Sequence, residues 1–219
     1  AANPKVSMGG FACDSKYDII SRIPQTHRPA TFVVRRCEHF MEAIKRLEQH
    51  RMHFPLIVKP DIGEGGFLVR KINSFTEFSQ YHHGHNMDYV VQAFVACPLE
   101  LSVLLHNSGG QLRISSITER KYLSLKGDGK SNVGQLIEQH PAAMHRQNNI
   151  KKMLSEQLHI VPGKDCLYEP SYIGNWDYGA TYVDRSELIN KYLLKVFTRM
   201  NNEIDLFNYS RIDLKCESV

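Results

Sequence analysis

The sequence predicts an α+β fold, and three observations lead there. Segments whose apolar residues recur at helical spacing are mixed with short apolar or alternating runs of strand type. Several of those runs are joined by tight Gly-containing turns, as in antiparallel hairpins. The strands do not alternate with helices in the regular order of a βαβ array. A chain of 219 residues can bury a proper core as one domain or two closely packed lobes. No internal repeat or low-complexity tract interrupts it.

Residues 1–30 read as a lead-in: a turn at Met8-Gly9-Gly10-Phe11, a short helix through Ile20 capped by Ser15, then breaks at Pro24 and Pro29. Thr31 to Val34 reads as a strand. Cys37 to His50 is expected to be helical, because Phe40, Ile44 and Leu47 form a stripe opposite the charges. A strand at Leu56 to Val58, stopped by Pro60, and a second apolar run at Phe67 to Val69 enclose a Gly-rich loop. Ser74 caps an expected helix over Phe75 to His82. Strands follow at Tyr89 to Val95, around Leu101 to Leu105 and around Leu112 to Ile117, the last two joined by a Ser108 to Gly110 turn. Val133 to Gln139 and Met144 to Leu158 are expected helices. Residues 161–183 hold loops and short strands. Ser186 is the expected cap of the longest helix, Glu187 to Ile204, and Tyr209 to Lys215 closes the described pattern as a strand.

Bulk properties narrow the function. Hydrophobic residues make up 42% and charged residues 23%, usual for a soluble globular protein, and no apolar stretch approaches a membrane span. The N-terminus lacks the order of a signal peptide. Five scattered cysteines with no C-x-x-C pair suit a reducing compartment, so the expected location is cytoplasmic. A net charge of +4 fits attraction to anionic small molecules and is too diffuse to make nucleic acid the default partner. Neither a membrane nor a nucleic-acid partner is expected, and the oligomeric state is not legible.

Chemistry concentrates in residues 54–70. Lys59 ends a buried-type strand, and Gly63, Gly65 and Gly66 follow. Glycine leaves backbone N–H groups uncovered, so this loop can close over phosphate oxygens above a lysine charge; a plain hairpin with a lysine at its rim is the other reading. Gly129-Lys130-Ser131 is not a Walker A loop, since Ser124 stands where the first glycine belongs. It reads as a mobile loop with a cation at its tip or as a simple turn. A protein kinase is excluded because its glycine loop precedes the lysine and neither H-R-D nor D-F-G occurs. Arg211 and Asp213, two apart on one strand, point the same way, either into a cleft or to solvent. Glu100 and Gln92 taken alone are equally compatible with a surface glutamate and an edge-strand polar residue. His82, His83 and His85 lack zinc-ligand spacing and read as a solvated turn.

Taken together and in order, these segments resemble the ATP-grasp superfamily of carboxylate–amine ligases, the group of D-alanine–D-alanine ligase and cyanophycin synthetase. The resemblance spans most of residues 30–215. Phe54 to Pro60 with Gly63, Gly65 and Gly66 is similar to the family's second lysine strand and phosphate-covering loop. Val90 to Val95 resembles the adenine-reading hinge, which implicates Gln92, Phe94 and Val95, and Glu100-x-Ser102-Val103 resembles the ribose-binding strand. Gly127 to Ser131 looks like the cyanophycin synthetase loop carrying Lys130, and Gly174 to Thr181 like a substrate loop, implicating Asn175 and Thr181. Arg211-x-Asp213 resembles the strand that supplies an oxyanion-binding arginine and a magnesium carboxylate. Lys16 is the candidate for the family's first lysine.

The resemblance implies two α+β lobes with mostly antiparallel sheets holding ATP between them, residues 31–95 and 96–219. It also implies a further Glu-x-Asn strand after Asp213; none precedes Val219, so the second lobe is expected to be incomplete at its C-terminus. The implied function is ATP- and Mg2+-dependent ligation of a small carboxylate to an amine through an acyl phosphate. The alternatives are a degenerate nucleotide-binding or regulatory module and a small-molecule kinase.

Overall fold

The computed structural model describes residue 3, residues 14–204 and residues 208–218. The expected turn at Met8 to Phe11 lies outside them. The chain divides into two compact units: Ala1–Cys97, Leu104–Ser115 and Ile189–Ile212 in one, Pro98–Val103, Ser116–Leu188 and Asp213–Val219 in the other. Among the described residues no helix is long and apolar enough to cross a membrane.

The first unit contains a four-stranded sheet in the order β1-β4-β2-β3, built from β1 (Thr31–Val34), β2 (Leu56–Pro60), β3 (Arg70–Ile72) and β4 (Tyr89–Ala93). All its pairings are antiparallel. Alternation along β2 buries Leu56 and Val58 and leaves Ile57 and Lys59 half-buried on the other face. The buried face packs with Phe32, Val34, Tyr89 and Val91 against Ala43 and Leu47 of α2 (Phe40–Gln49) and Phe78 and Tyr81 of α3 (Phe75–Gly84). Each fully buried aliphatic or aromatic side chain here contributes about 1.5–3 kcal/mol. The Ser74 cap is present, its side chain accepting from the Glu77 N–H.

Three expectations for this unit need correction. The helix foreseen from Cys37 begins at Phe40, because residues 35–38 form a turn in which the Glu38 N–H bonds the Arg35 carbonyl at 2.9 Å. The strand after the glycine loop is not Phe67 to Val69. Ile72 pairs with Leu56 and fills the core position, while Phe67 is 64% exposed and Leu68 adopts a left-handed turn conformation. His82 and His83 lie in the last turn of α3, not in a loop, with His82 packed on Phe40 and bonded to the Tyr89 hydroxyl at 2.9 Å.

A second four-stranded sheet has the order β10-β5-β6-β9, from β5 (Leu99–Ser108), β6 (Gln111–Lys121), β9 (Thr181–Asp184) and β10 (Tyr209–Cys216). Residues 99–103, 116–121, 181–184 and 213–216 of it belong to the second unit. That unit adds a small pair, β7 (Leu125–Lys126) with β8 (Leu167–Tyr168), and α4 (Val133–Gln139), whose Asn132 and Gln135 form a reciprocal capping box. Leu123, Leu125, Val133, Leu136, Ile137 and Ile150 make its core.

The expected helix from Met144 to Leu158 is broken. Only α5 (Gln147–Met153) is α-helical, with short 3-10 turns at Met144–Arg146 and Ser155–Gln157. Just before α5 the Arg146 side chain turns back on the chain, its Nη2 donating to the Ala142 carbonyl at 3.1 Å and its Nη1 to the Trp176 carbonyl at 2.7 Å. The longest helix, α6 (Lys191–Ile204), is capped by Asn190, not Ser186. Ser186 is otherwise engaged, donating its hydroxyl to Asp184 at 2.6 Å.

Candidate functional site

In the first unit the chemistry gathers where β2 ends. α1 (Lys16–Arg22) is capped by Ser15, and its first turn docks on the buried Asp61: the Ser15 hydroxyl donates to both carboxylate oxygens at 3.0 and 2.8 Å, and the Tyr17 N–H to one at 2.9 Å. Lys16 then turns its Nζ onto the carbonyls of Pro60, Asp61 and Gly63 at 3.0, 3.2 and 2.5 Å. Burial pulls this ammonium below its ordinary pKa, against the opposing pull of Asp61 and Glu64. Lys16 thus fastens the start of the glycine loop. Gly65 and Gly66, at φ of 67° and 79°, need the left-handed freedom of glycine to carry the loop onward.

Lys59, one strand position before Pro60, donates to Gln92 Oε1 at 3.2 Å; the Gln92 amide donates in turn to Thr31 at 3.2 Å. Gln92 is opposite Ile57 in the sheet, which places these polar groups on the face away from the main core. Phe94, just past β4, takes the Lys71 ammonium over its ring at 4.2 Å, and Val95 follows it.

The second unit carries a charged network across three strands. Glu100 on β5 accepts from Arg120 Nη1 at 3.2 Å and from the Tyr122 hydroxyl, with Lys215 Nζ 3.6 Å away. Asp213 on β10 accepts from Arg120 Nη2 at 2.7 Å and from the Ser102 hydroxyl at 2.8 Å. Lys215 donates to the Tyr122 oxygen at 2.8 Å. Burial works against the Arg120 charge, yet Asp213 and Glu100 outweigh it and raise its pKa further. Burial, then the bond to Glu100, raises the Tyr122 phenol, so it stays protonated. The loop at Gly174 lies close on this network: a Cβ there would sit 2.8 Å from Glu100 Oε1.

Of the expected residues, the structure brings Lys59 to Gln92, Lys16 to Gly63, and Glu100 to Asp213 through Arg120. Arg211 precedes Asp213 by two positions on β10. Lys130 stands outside the network, on a turn more firmly held than the mobile loop expected. Asp128 accepts from the Lys130 and Ser131 N–H groups at 2.8 and 2.6 Å, and Gly127 is bonded into the 163–166 segment. Asn175 spends its side-chain oxygen on the Asp177 N–H at 3.0 Å, and Thr181 opens β9 opposite Lys121. Sequence reasoning assigned no role to Arg120, Tyr122 or Lys215, and named Ser102 only as part of the Glu100-x-Ser102-Val103 motif. The strand period of two held the signal: Glu100-x-Ser102, Arg120-x-Tyr122 and Asp213-x-Lys215 each put two polar groups on one face.

Among the described residues no three His, Cys, Asp or Glu side chains form a metal-binding group. Asp213 can still serve a hard cation as one ligand. Its side chain is 39% exposed, so its carboxylate is reachable from solvent. Mg2+ commonly takes one or two carboxylates with phosphates and water.

No protein-family model and no curated protein matches the chain. Among solved structures it is similar to VanG D-Ala:D-Ser ligase from Enterococcus faecalis, with a TM-score of 0.54 at 12% identity over 93% of this chain and 51% of that one. It is also similar to D-alanine–D-alanine ligase from Bacillus anthracis, at a TM-score of 0.48 and 11% identity over 91% and 49%. The chain therefore spans about half the length of these structures. The first likeness shows the ATP-grasp fold, in line with the α+β expectation.

Proposed function

We propose that the chain is the ATP-binding and catalytic part of an ATP- and Mg2+-dependent ligase that joins a small carboxylate to an amine through an acyl phosphate. The observation that carries this reading is the Arg120 bridge, which ties Glu100 and Asp213 together across three strands of one sheet within this fold. A free carboxylate acylates poorly because its leaving group would be oxide. Phosphorylation by ATP turns that oxygen into phosphate, which an amine can displace. Such chemistry needs positive charge around a transferring phosphoryl group and exclusion of water.

In this reading Lys59 contacts phosphate beneath the loop of Gly63, Gly65 and Gly66, whose start Lys16 holds. Gln92, Phe94 and Val95 meet the base, and Glu100 the ribose. Arg211 stabilises the developing oxyanion, Lys130 adds a further cation, and Asn175 and Thr181 face substrate. Asp213 would hold Mg2+, which when bound offsets phosphate charge.

The test is incubation with ATP, Mg2+ and pooled carboxylates and amines, followed by mass spectrometry. The expected products are ADP and an amide, lost in Lys59→Ala and Asp213→Asn while the thermal transition stays in place. If neither product forms, or if both variants match the parent chain, the reading is wrong. A second reading, nucleotide binding without catalysis, draws support from Glu100, whose two oxygens are already engaged by Arg120 and Tyr122. It expects saturable ATP binding by calorimetry with no ADP released. ADP with a phosphorylated alcohol would instead indicate a kinase.

A further inference from the structure

We infer that the sheet face beside Arg120 carries a subsite for an aromatic ring of the substrate, formed by Trp176 and Tyr182, with Arg146 laid over the Trp176 ring. The inference rests on the ligase reading above and adds the chemical class of the acid: an aryl carboxylate. Tyr182 is the cross-strand partner of Arg120. Directly opposed residues share a face, so Tyr182 stands on the side of the sheet that holds the Glu100–Arg120–Asp213 network. Trp176 lies parallel to Tyr182, within 3° and with ring centroids 6.0 Å apart. Trp176 is 50% exposed and Tyr182 44%, so part of this ring pair stays open to solvent even though Arg146 covers one face of Trp176. The open face of such a pair is a surface on which a further ring can stack.

The two rings are held in place before any ligand arrives. The Arg146 guanidinium carbon lies 3.4 Å from the Trp176 ring centroid, and its Nη1 donates to the Trp176 carbonyl at 2.7 Å. Asn175 caps the turn that carries Trp176. Gly179, at a φ of 87°, ends that turn tightly against the core, where a Cβ would come 2.9 Å from Leu123. At its other end Gly174 lies against Glu100 and Arg120. A platform fixed at both ends loses little freedom on binding, which favours affinity.

The chemistry of the platform selects its occupant. A third ring can extend the parallel aromatic pair on its Tyr182 side, whereas an aliphatic chain gains only buried area. Arg146, laid over the Trp176 ring, uses two of its five N–H donors on the Ala142 and Trp176 carbonyls, leaving donors for an anion beside the stack. Asp177 on the same turn offsets part of this charge. The combination suits a ring joined to a carboxylate.

Trp176 is the only tryptophan among the 219 residues, so its fluorescence reports directly on the subsite. The experiment titrates 3-phenylpropionate and, separately, butanoate into the whole chain without nucleotide. The expected result is a saturable change in emission with 3-phenylpropionate and none with butanoate over the same range. Tyr182→Phe should keep that response, and Tyr182→Leu, which also fills the site, should weaken binding about tenfold. An equal, unsaturated response to both acids, or equal affinity in the Phe and Leu variants, overturns the inference. Saturable binding in a chain that makes no ADP would refute the ligase reading alone. ADP and amide formed from aliphatic acids, with silent Trp176 emission for 3-phenylpropionate, would refute the subsite alone.

Discussion

Replacing Arg120 by methionine removes a guanidinium that two carboxylates share, and the cost follows from how each is exposed. The Arg120 and Glu100 side chains are both 14% exposed, and that of Asp213 is 39%. Truncating one partner of a buried ion pair costs about 3–5 kcal/mol, because the other charge is left without compensation. Glu100 keeps the Tyr122 hydroxyl and the Lys215 ammonium at 3.6 Å, which lowers that figure. Asp213 is screened by solvent, and its share is at most about 1 kcal/mol. Arg120→Met should therefore destabilise the chain by about 2–3 kcal/mol in urea denaturation near neutral pH. Glu100→Gln in the same background should recover most of the loss, with a coupling of about 2 kcal/mol in the double-mutant cycle. A loss under about 0.5 kcal/mol, or a coupling near zero, would show that the network is not held as described.

Two further perturbations separate backbone crowding from side-chain crowding and test the 127–131 turn. Gly127→Ala places a Cβ 2.2 Å from the Gly163 carbonyl oxygen, a backbone atom that cannot step aside, whereas Gly174→Ala meets a side-chain atom, Glu100 Oε1, at the longer distance of 2.8 Å. Thermal melts should rank Gly127→Ala as the worse by about 2 kcal/mol, and the reverse order would contradict the packing. Asp128 is expected to titrate at about 2 by carboxyl NMR, held down by the Ser131 hydroxyl and then the Ser131 and Lys130 N–H groups. A carboxyl depressed by folding adds stability above its unfolded value and loses it as pH falls toward about 2. Ser131→Ala should move the titration back up, and an Asp128 already titrating in the usual carboxylate range would count against the turn geometry.

Local signals were legible where a short stretch carries its own reason to fold. The strand at Thr31–Val34 and the helix at Val133–Gln139 occur at the expected residues, and Ser15 and Ser74 cap as their spacing suggested. Failures came where other partners, several of them distant in sequence, compete for the same groups. Arg146 leaves a helix that its neighbours would extend because Trp176 offers both a ring and a carbonyl. Ser186 reads as a cap until Asp184 and Ile117 take its hydroxyl. Phe67 is more apolar than Lys71, yet the register that sets Ile72 against Leu56 decides which residues form the strand.

The amino-acid order by itself determined the strand periods, the glycines that let the chain turn over residues 63–66, and the pairs of polar residues two apart that share a face. These depend on backbone sterics and on a few neighbouring side chains, so they are written locally. Only the tertiary structure decided that Glu100 and Asp213, 113 residues apart, meet through Arg120, and that Trp176 and Tyr182 lie parallel beside them. Which strands become neighbours is set by burial of the whole core, and no window of sequence contains that sum.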